Sequence, residues 1–363
     1  MIEKRYFFQT DWLLLAIAIA LTVIGIANIY SATHIHQPYL YKKQLYWLIV
    51  ALVVMVPVVA INYSLFERFA YVIYGISLVT LVIALLWGHS AGGSRRWLDL
   101  GFFHFQPSEL AKIAFMMALA KYLSSRELPR RGLSLKELMG PAALLAPPFL
   151  LVAKQPDLGT ALIFLFVFAS MLCIVKIRLK TMLAISAGLL AMIPFVWHSL
   201  KDYQKARLLS FLDPTMDPLG SGYHILQSKI AIGSGGFMGK GFTQGTQGTL
   251  MFLPAHHTDF IFPVLAEEWG FVGSFVVLLL FLLFIIRGMD ITGSAKDRFG
   301  FLLAFGIVSM IFWHTVVNMG MVTGLLPVVG VPLPFLSYGG SFLVTTFVGV
   351  GLLLNIGMRR FLF

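Results

Sequence analysis

The chain reads as an all-α integral membrane protein of ten transmembrane helices, with one long extracytoplasmic loop between the seventh and the eighth. Three observations predict this. Of 363 residues, 58% are hydrophobic and 12% charged, against roughly 45–50% and 25% in ordinary soluble domains, and the mean hydropathy is +0.86. The apolar residues gather into ten stretches close to the roughly 20 residues that a helix needs to cross a bilayer. The Lys and Arg residues between those stretches are unevenly shared between alternate connections. A soluble fold, a disordered chain and a disulfide scaffold are excluded together, the last because Cys173 is the only cysteine.

In order, the predicted spans are Trp12–Ala32, Leu45–Ile61, Phe69–Trp87, Ser108–Leu123, Leu138–Ala153, Leu158–Val175, Met182–Trp197, Phe260–Ile286, Phe301–Val317 and Ser337–Ile356. Lys4 and Arg5 before the first span, and Ser31 and Ala32 at its end, imitate a signal peptide. The apolar run is too long for that, and nine further spans follow, so the first helix is read as retained. Pro107 suits the start of the fourth span, with Ser108 as its cap. Asp157 suits the cap of the sixth, where its charge meets the positive helix end. The whole of 1–363 is expected to form a single polytopic domain, with 198–258 as its large loop.

Orientation follows from the basic residues, which are retained on the cytoplasmic side. Fifteen lie on the face that includes both termini, among them Arg68, Arg126, Lys176, Arg178, Arg298, Arg359 and Arg360. The short loops of the other face hold five: Lys42, Lys43, Arg95, Arg96 and Lys154. Both termini are therefore predicted cytoplasmic and residues 198–258 external. The net charge of +11 is accounted for by the membrane, with no nucleic-acid partner. The Gly-rich stretch Gly233–Gly248 is not a phosphate loop, because Gly241 follows Lys240 and Ser234 stands where the first glycine is needed.

Ionisable or helix-breaking residues inside apolar spans are costly and so mark candidate sites. Glu109 and Lys112, three apart, share a helix face, either as an ion pair or with Lys112 turned to an anionic ligand that Glu109 holds in place. Lys154-Gln155-Pro156-Asp157 forms a tight external turn. His256, His257 and Asp259 crowd the entry to the eighth span, with Glu267 and Glu268 a few turns on. Adjacent histidines diverge by about 100° on a helix, so a zinc site is not expected there. The apolar stretch from Gly324 to Ser341, rich in Pro and Gly, should fold back into the protein as a buried or re-entrant loop, either lining a path for an apolar chain or packing only.

The five external basic residues share a face with Asp157 and Asp259, which suggests an anionic ligand at the outer membrane surface. A carboxylate beside it can act as general base. Outside the cytoplasm no nucleotide donor is at hand, so group transfer needs a substrate that brings its own energy, such as a lipid-linked diphosphate. On the residues alone, transport and catalysis both stay open.

Arg95-Arg96-Trp97-Leu98-Asp99-Leu100-Gly101, Phe105-Gln106-Pro107-Ser108-Glu109-Leu110-Ala111-Lys112 and Lys154-Gln155-Pro156-Asp157-Leu158-Gly159-Thr160 resemble motifs of the SEDS proteins, named for shape, elongation, division and sporulation. Asp217 to Tyr223, Gly239-Lys240-Gly241, Gly245-Thr246-Gln247, His257-Thr258-Asp259-Phe260-Ile261-Phe262 and Pro334 to Ser341 follow in the family's order. The resemblance covers residues from about 92 to 360, and Lys-Gln-Pro-Asp with Gly-Thr-Gln resembles the RodA branch more than FtsW. It implies an inverting peptidoglycan glycosyltransferase that polymerises lipid II during cell elongation. The site would be the outer face of the bacterial cytoplasmic membrane, and a lipid II flippase is the competing reading.

By the same resemblance Asp259 falls on the catalytic acid. Trp97, Glu109, Lys112 and Asp157 fall on other important positions. Arg95, Arg96, Lys154, Lys240, His257, Thr258 and Ser337 complete the expected substrate-binding set. The expected partners are lipid II, the nascent glycan strand, membrane lipids and a class B penicillin-binding protein. No tightly bound cofactor is expected, and any Mg²⁺ or Mn²⁺ would be carried by the substrate diphosphate. Ala255 departs from the family, which usually has Glu there.

Overall fold

The computed structural model describes residues 10–360, except 92–93, 100, 102–103, 128, 130, 201, 214–219 and 247–256. Helices cover all ten predicted spans. The first seven are α1 (Trp12–Thr33), α2 (Leu40–Ala60), α3 (Tyr63–Trp87), α4 (Pro107–Ser124), α5 (Leu135–Lys154), α6 (Leu158–Ile174) and α7 (Leu179–Ser199). Two shorter helices, α8 (Asp202–Leu212) and α9 (Ser221–Ser234), lie in the long connection, and α10 (Ile261–Gly293), α11 (Arg298–Val322) and α12 (Gly340–Met358) close the chain. Seven of these are long and apolar enough to cross a membrane; α6 is shorter, α7 has a shorter apolar stretch, and α4 carries Glu109, Lys112 and Lys121. The chain is a multi-pass membrane protein.

Several helices extend beyond their apolar runs because polar residues at their ends find tertiary partners. Gln44, in the polar first turns of α2, is buried; its side-chain nitrogen donates to Ser337 O and its oxygen accepts from Gly339 N, both at 3.2 Å. At the other end of α2 the orphan carbonyls accept from α12, where Asn355 donates to Val58 O and Ile61 O and Arg359 to Ala60 O at 2.9 Å. Pro107 occupies the first turn of α4, which makes Gln106 the N-cap. Ser108 is therefore not the cap expected of it, and its buried hydroxyl has no hydrogen-bond partner among the described residues. Asp157 does cap α6, accepting from Thr160 N at 3.2 Å.

α12 packs on α2, α3 on α4, and α11 on α4, α6 and α10. The most apolar window of α12 is 89% buried against 22% for α2, so α12 is central and α2 faces lipid. The connections predicted cytoplasmic meet at one end of the bundle. There Lys121 donates to Arg68 O at 2.9 Å, Arg298 to Arg126 O at 3.3 Å, and Arg178 to Gly132 O at 2.9 Å. The links from α3 to α4, α5 to α6 and α9 to α10 lie at the other end.

Two features were not anticipated. Between α3 and α4 a small antiparallel sheet, β1 (His89–Ala91), β2 (Ser94–Asp99) and β3 (His104–Phe105), runs in the order β1-β2-β3. In addition, α10 breaks at Gly270, where φ is 64° and ψ −157°. A continuous helix would pair the carbonyls of Glu267 and Glu268 with the N–H groups of Phe271 and Val272. Here those carbonyls accept from Lys240 N and Gly241 N, both at 3.0 Å, while Phe271 N and Val272 N donate to Gly236 O and Phe237 O at 2.9 and 3.2 Å. The loop 236–241 thus splints the break. Gly239 makes the close approach feasible: its φ is +80°, and a Cβ there would lie 2.1 Å from Glu268 O.

Candidate active site

Asp259 sits in a turn just ahead of α10. Three successive carbonyls hold this turn, two against the loop 324–339 and the third against α11. His257 O accepts from Tyr338 N at 2.9 Å, Thr258 O from Ser337 Oγ at 2.7 Å, and Asp259 O from Asn318 Nδ2 at 2.9 Å. The loop is itself fixed, because Asn318 Nδ2 also reaches Val331 O at 2.7 Å and Leu333 N donates to Ser337 Oγ at 2.8 Å. Leu333, Phe335 and Leu336 are buried, as expected of a segment that folds back, and Phe335 adopts a φ of +65° uncommon for a residue with a side chain. Gly330 faces the carboxylate closely enough that a Cβ would lie 3.2 Å from Asp259 Oδ2. The backbone around Asp259 is thus fixed before any ligand arrives.

The electrostatics around that carboxylate combine both signs. Burial pushes the Asp259 carboxyl up to about 6 from 3.8, the charge of Asp157 adds to the rise, and Arg207 and Arg96 pull it down. Arg96 Nε donates to Gln155 O at 3.2 Å, its Nη2 donates to Pro156 O, and its Nη1 lies 3.7 Å from Asp157 Oδ1. The α5–α6 turn is therefore clamped by the same guanidinium whose charge acts on Asp259. Arg207, on α8, donates to Val328 O at 3.5 Å, two residues from Gly330. A buried carboxylate in the electrostatic field of two guanidinium groups is suited to take a proton beside an anion.

Not every expected residue joins this cluster. Lys112 and Glu109 are buried and paired at 3.0 Å, and Lys112 Nζ also lies 2.9 Å from His314 Nε2 and over the Phe342 ring. Of the two readings of that pair, the geometry matches the ion pair, with Lys112 turned to these partners and away from an external anion. Ser337, expected at the substrate, is 1% exposed and spends its hydroxyl on Thr258 O and Leu333 N, so it positions the turn instead.

Lys240 is likewise committed, at 2.6 Å from Glu267 Oε1 and 3.1 Å from Thr246 Oγ1. That carboxylate lies eight residues beyond Asp259, about 12 Å of helix rise. Lys154 is exposed at the last turn of α5. Trp97 is half-buried in β2, Arg95 is placed by its backbone opposite Ser90, and His257 meets the Tyr338 ring edge-on. His256 and Ala255 lie outside the described residues. No group of three or more His, Cys, Asp or Glu side chains able to hold a metal occurs among the described residues.

Sequence reasoning missed Arg207, His314 and Asn318. The last two carried a usable signal, since an imidazole and a carboxamide one turn apart are costly inside a largely apolar helix. Arg207 carried none, as one of several basic residues in the long loop.

A bundle of apolar helices with a buried carboxylate at one end, under the electrostatic influence of two arginines, defines a polytopic membrane protein with a charged candidate site. The chain belongs to the family of FtsW, RodA and SpoVE: the family model described as "Cell cycle protein" matches residues 9–361. It is 42% identical over 353 residues to the peptidoglycan glycosyltransferase MrdB of Escherichia coli K12, covering 96% of this chain and 94% of that one. It is 34% identical to the peptidoglycan glycosyltransferase RodA of Treponema pallidum, covering 96% and 98%. Among solved structures, one described by the structural coordination of polymerization and crosslinking in a peptidoglycan synthase complex superposes with a TM-score of 0.86 at 34% identity, covering 98% and 99%. The crystal structure of Thermus thermophilus RodA gives 0.73 at 30%, covering 97% and 98%.

Proposed function

We propose that this chain is a peptidoglycan glycosyltransferase in which Asp259 is the general base for polymerising lipid II. The observation that carries the assignment of the base is the Asp259 turn, fixed through three consecutive carbonyls, with a buried carboxylate on which the charges of Arg96 and Arg207 act. A carboxyl of pKa about 6 is largely ionised at neutral pH and a stronger base than an ordinary aspartate. Asp259 takes the proton of the acceptor sugar hydroxyl, and the oxygen attacks the anomeric carbon of the donor. The polyprenyl diphosphate leaves, so a single displacement inverts the anomeric configuration. Arg96 and Arg207 stabilise the departing diphosphate, a role that Lys112, buried against Glu109 and His314, is not placed to fill. Any divalent cation enters with the diphosphate, because the oxygens of Asp157 are already engaged by Thr160 and Arg96.

Both termini are assigned to the cytoplasm and residues 198–258 to the outer face, which fits the basic connections gathered at the opposite end of the bundle from Asp259. The membrane is the bacterial cytoplasmic membrane. The working partner is a class B penicillin-binding protein, in keeping with a structural neighbour that belongs to a complex of polymerization and crosslinking. A flippase is less well supported: its site belongs at the midplane of the bundle, and Asp259 lies at the end.

The test is polymerisation of purified lipid II by the wild type and by Asp259→Asn, alone and with the crosslinking partner. The expected loss is about 10²–10⁴-fold in rate with folding intact. Wild-type rates from the variant would refute the role of Asp259. Lipid II movement across proteoliposomes without polymer from either protein would refute the polymerase reading.

A further inference from the structure

The loop 324–339 stands against Asp259 but is short of donors for its own carbonyls, because Pro327, Pro332 and Pro334 bring no N–H. Two successive carbonyls are met from α11 instead. Asn318 Nδ2 donates to Val331 O at 2.7 Å, and one turn earlier His314 Nδ1 lies 3.2 Å from Pro332 O. The His314 ring is 2% exposed, and its other nitrogen, Nε2, lies 2.9 Å from Lys112 Nζ.

These two neighbours decide the state of the ring. A backbone carbonyl only accepts, so Nδ1 carries the proton that faces Pro332 O. The Lys112 ammonium, ion-paired with Glu109 at 3.0 Å, only donates, so Nε2 presents its lone pair. His314 is therefore neutral, with its N–H aimed at the loop and the charge of Lys112 behind it. A cation on the acceptor side polarises the imidazole and strengthens the N–H on the other side. The buried ion pair thus ends on one backbone carbonyl. That carbonyl lies two residues beyond Gly330, where a Cβ would be 3.2 Å from Asp259 Oδ2, and next to Val331, whose carbonyl shares Asn318 with Asp259 O. A loop displaced at Pro332 moves the wall that faces the carboxylate.

We propose that His314 is a positioning residue for the glycosyl transfer, whose Nδ1–H pins Pro332 O and so keeps Gly330 against the Asp259 carboxylate. The inference rests on Asp259 as the base. The ring itself touches no substrate, since it is buried among the loop, Lys112 and Phe342, with the Phe342 ring centroid 5.1 Å away. Its loss should therefore lower turnover and leave substrate affinity nearly unchanged.

Full-length variants are assayed for lipid II polymerisation with the crosslinking partner present. His314→Leu removes both polar contacts, and a displacement of about 1 Å at reacting groups can cost about 10²-fold, so kcat should fall about 10–10²-fold with KM within about twofold. Asn places its amide where Nδ1 stood and still donates to Pro332 O, whereas Gln reaches the position of Nε2 and serves Lys112 alone. His314→Asn should therefore recover most of the lost turnover and His314→Gln little of it. A ring needed only to bury Lys112 would give the reverse order. Thermal unfolding and monodispersity check the fold, and the comparison of Asn with Gln carries the test if His314→Leu does not fold. Independently of activity, nitrogen NMR of protein labelled in its histidine rings should lose, in His314→Gln, the signals of a neutral ring protonated on Nδ1. A charged ring or one protonated on Nε2, wild-type turnover in His314→Leu, a loss confined to KM, or recovery by Gln equal to that by Asn overturns the proposal. Asp259→Asn in the same assay keeps the two readings apart. Its wild-type rate would refute the base, whereas its inactivity beside turnover restored by Gln would refute the positioning role alone.

Discussion

Asp157→Asn separates the two carboxylates that share the site. Asn is as good an N-cap as Asp, so α6 keeps its start while one negative charge disappears. Burial is the largest cause of the raised Asp259 pKa and is untouched; the repulsion from Asp157 is removed, and Arg96 is freed from its pair at 3.7 Å. Both changes act in one direction, so the pKa falls from about 6 and stops short of 3.8. A unit charge at an effective dielectric of about 20 moves a pKa by about one unit from as far as ~12 Å, so a midpoint near 5 is expected. The base acts when ionised, so the wild-type rate falls as pH drops through about 6. At pH 5 about a tenth of the wild type is ionised against about half of the variant, which predicts a roughly fivefold smaller acid loss for Asp157→Asn. Single-turnover polymerisation of fluorescent lipid II between pH 4.5 and 8, each enzyme normalised to its own plateau, reads the midpoint free of binding defects. An unmoved or raised midpoint, or a wild-type profile flat below pH 6, would refute the electrostatic account of the base.

Arg207→Gln should move the same midpoint the other way, above about 6, because it removes a cation that favours the ionised carboxylate; a lowered midpoint would remove Arg207 from the site. Lys112→Met and Glu109→Gln should each cost about 3–5 kcal/mol by stranding a buried partner, with the double variant well short of the sum. Additive losses in detergent unfolding midpoints would mean that the two charges do not interact. In a Cys173→Ser background, Gln244→Cys should react with an impermeant maleimide in intact cells, and protection would reverse the assigned orientation.

The ten spans were legible because lipid-facing helices leave long apolar runs, as in α3 and α10, whichever neighbours they pack on. What escaped depends on tertiary pairing. The break at Gly270 lies in Trp269-Gly270-Phe271, an unremarkable place for a glycine in an apolar run, and only the docked loop makes it a break. The β1–β3 sheet lies in a short aromatic connection without clear alternation. In the candidate site, Asp259, Arg96 and Asp157 stood out because charge is rare in this chain. Ser337 was placed among the ligand contacts because a motif records that a residue matters and leaves open whether it touches substrate or holds the residue that does.

The splinted break also settles a question of depth. A straight α10 of 33 residues would be about 50 Å long, well beyond a hydrocarbon core of roughly 30 Å. From Phe271 to Gly293 the helix already measures about 34 Å, enough to cross by itself. Without the break, the segment from Ile261 to Trp269 would stand about 13 Å further along the same axis and hold Asp259 out in water. The break lets the segment before Gly270 leave that axis, so the length that crosses the bilayer and the position of Asp259 are set by separate stretches of one helix.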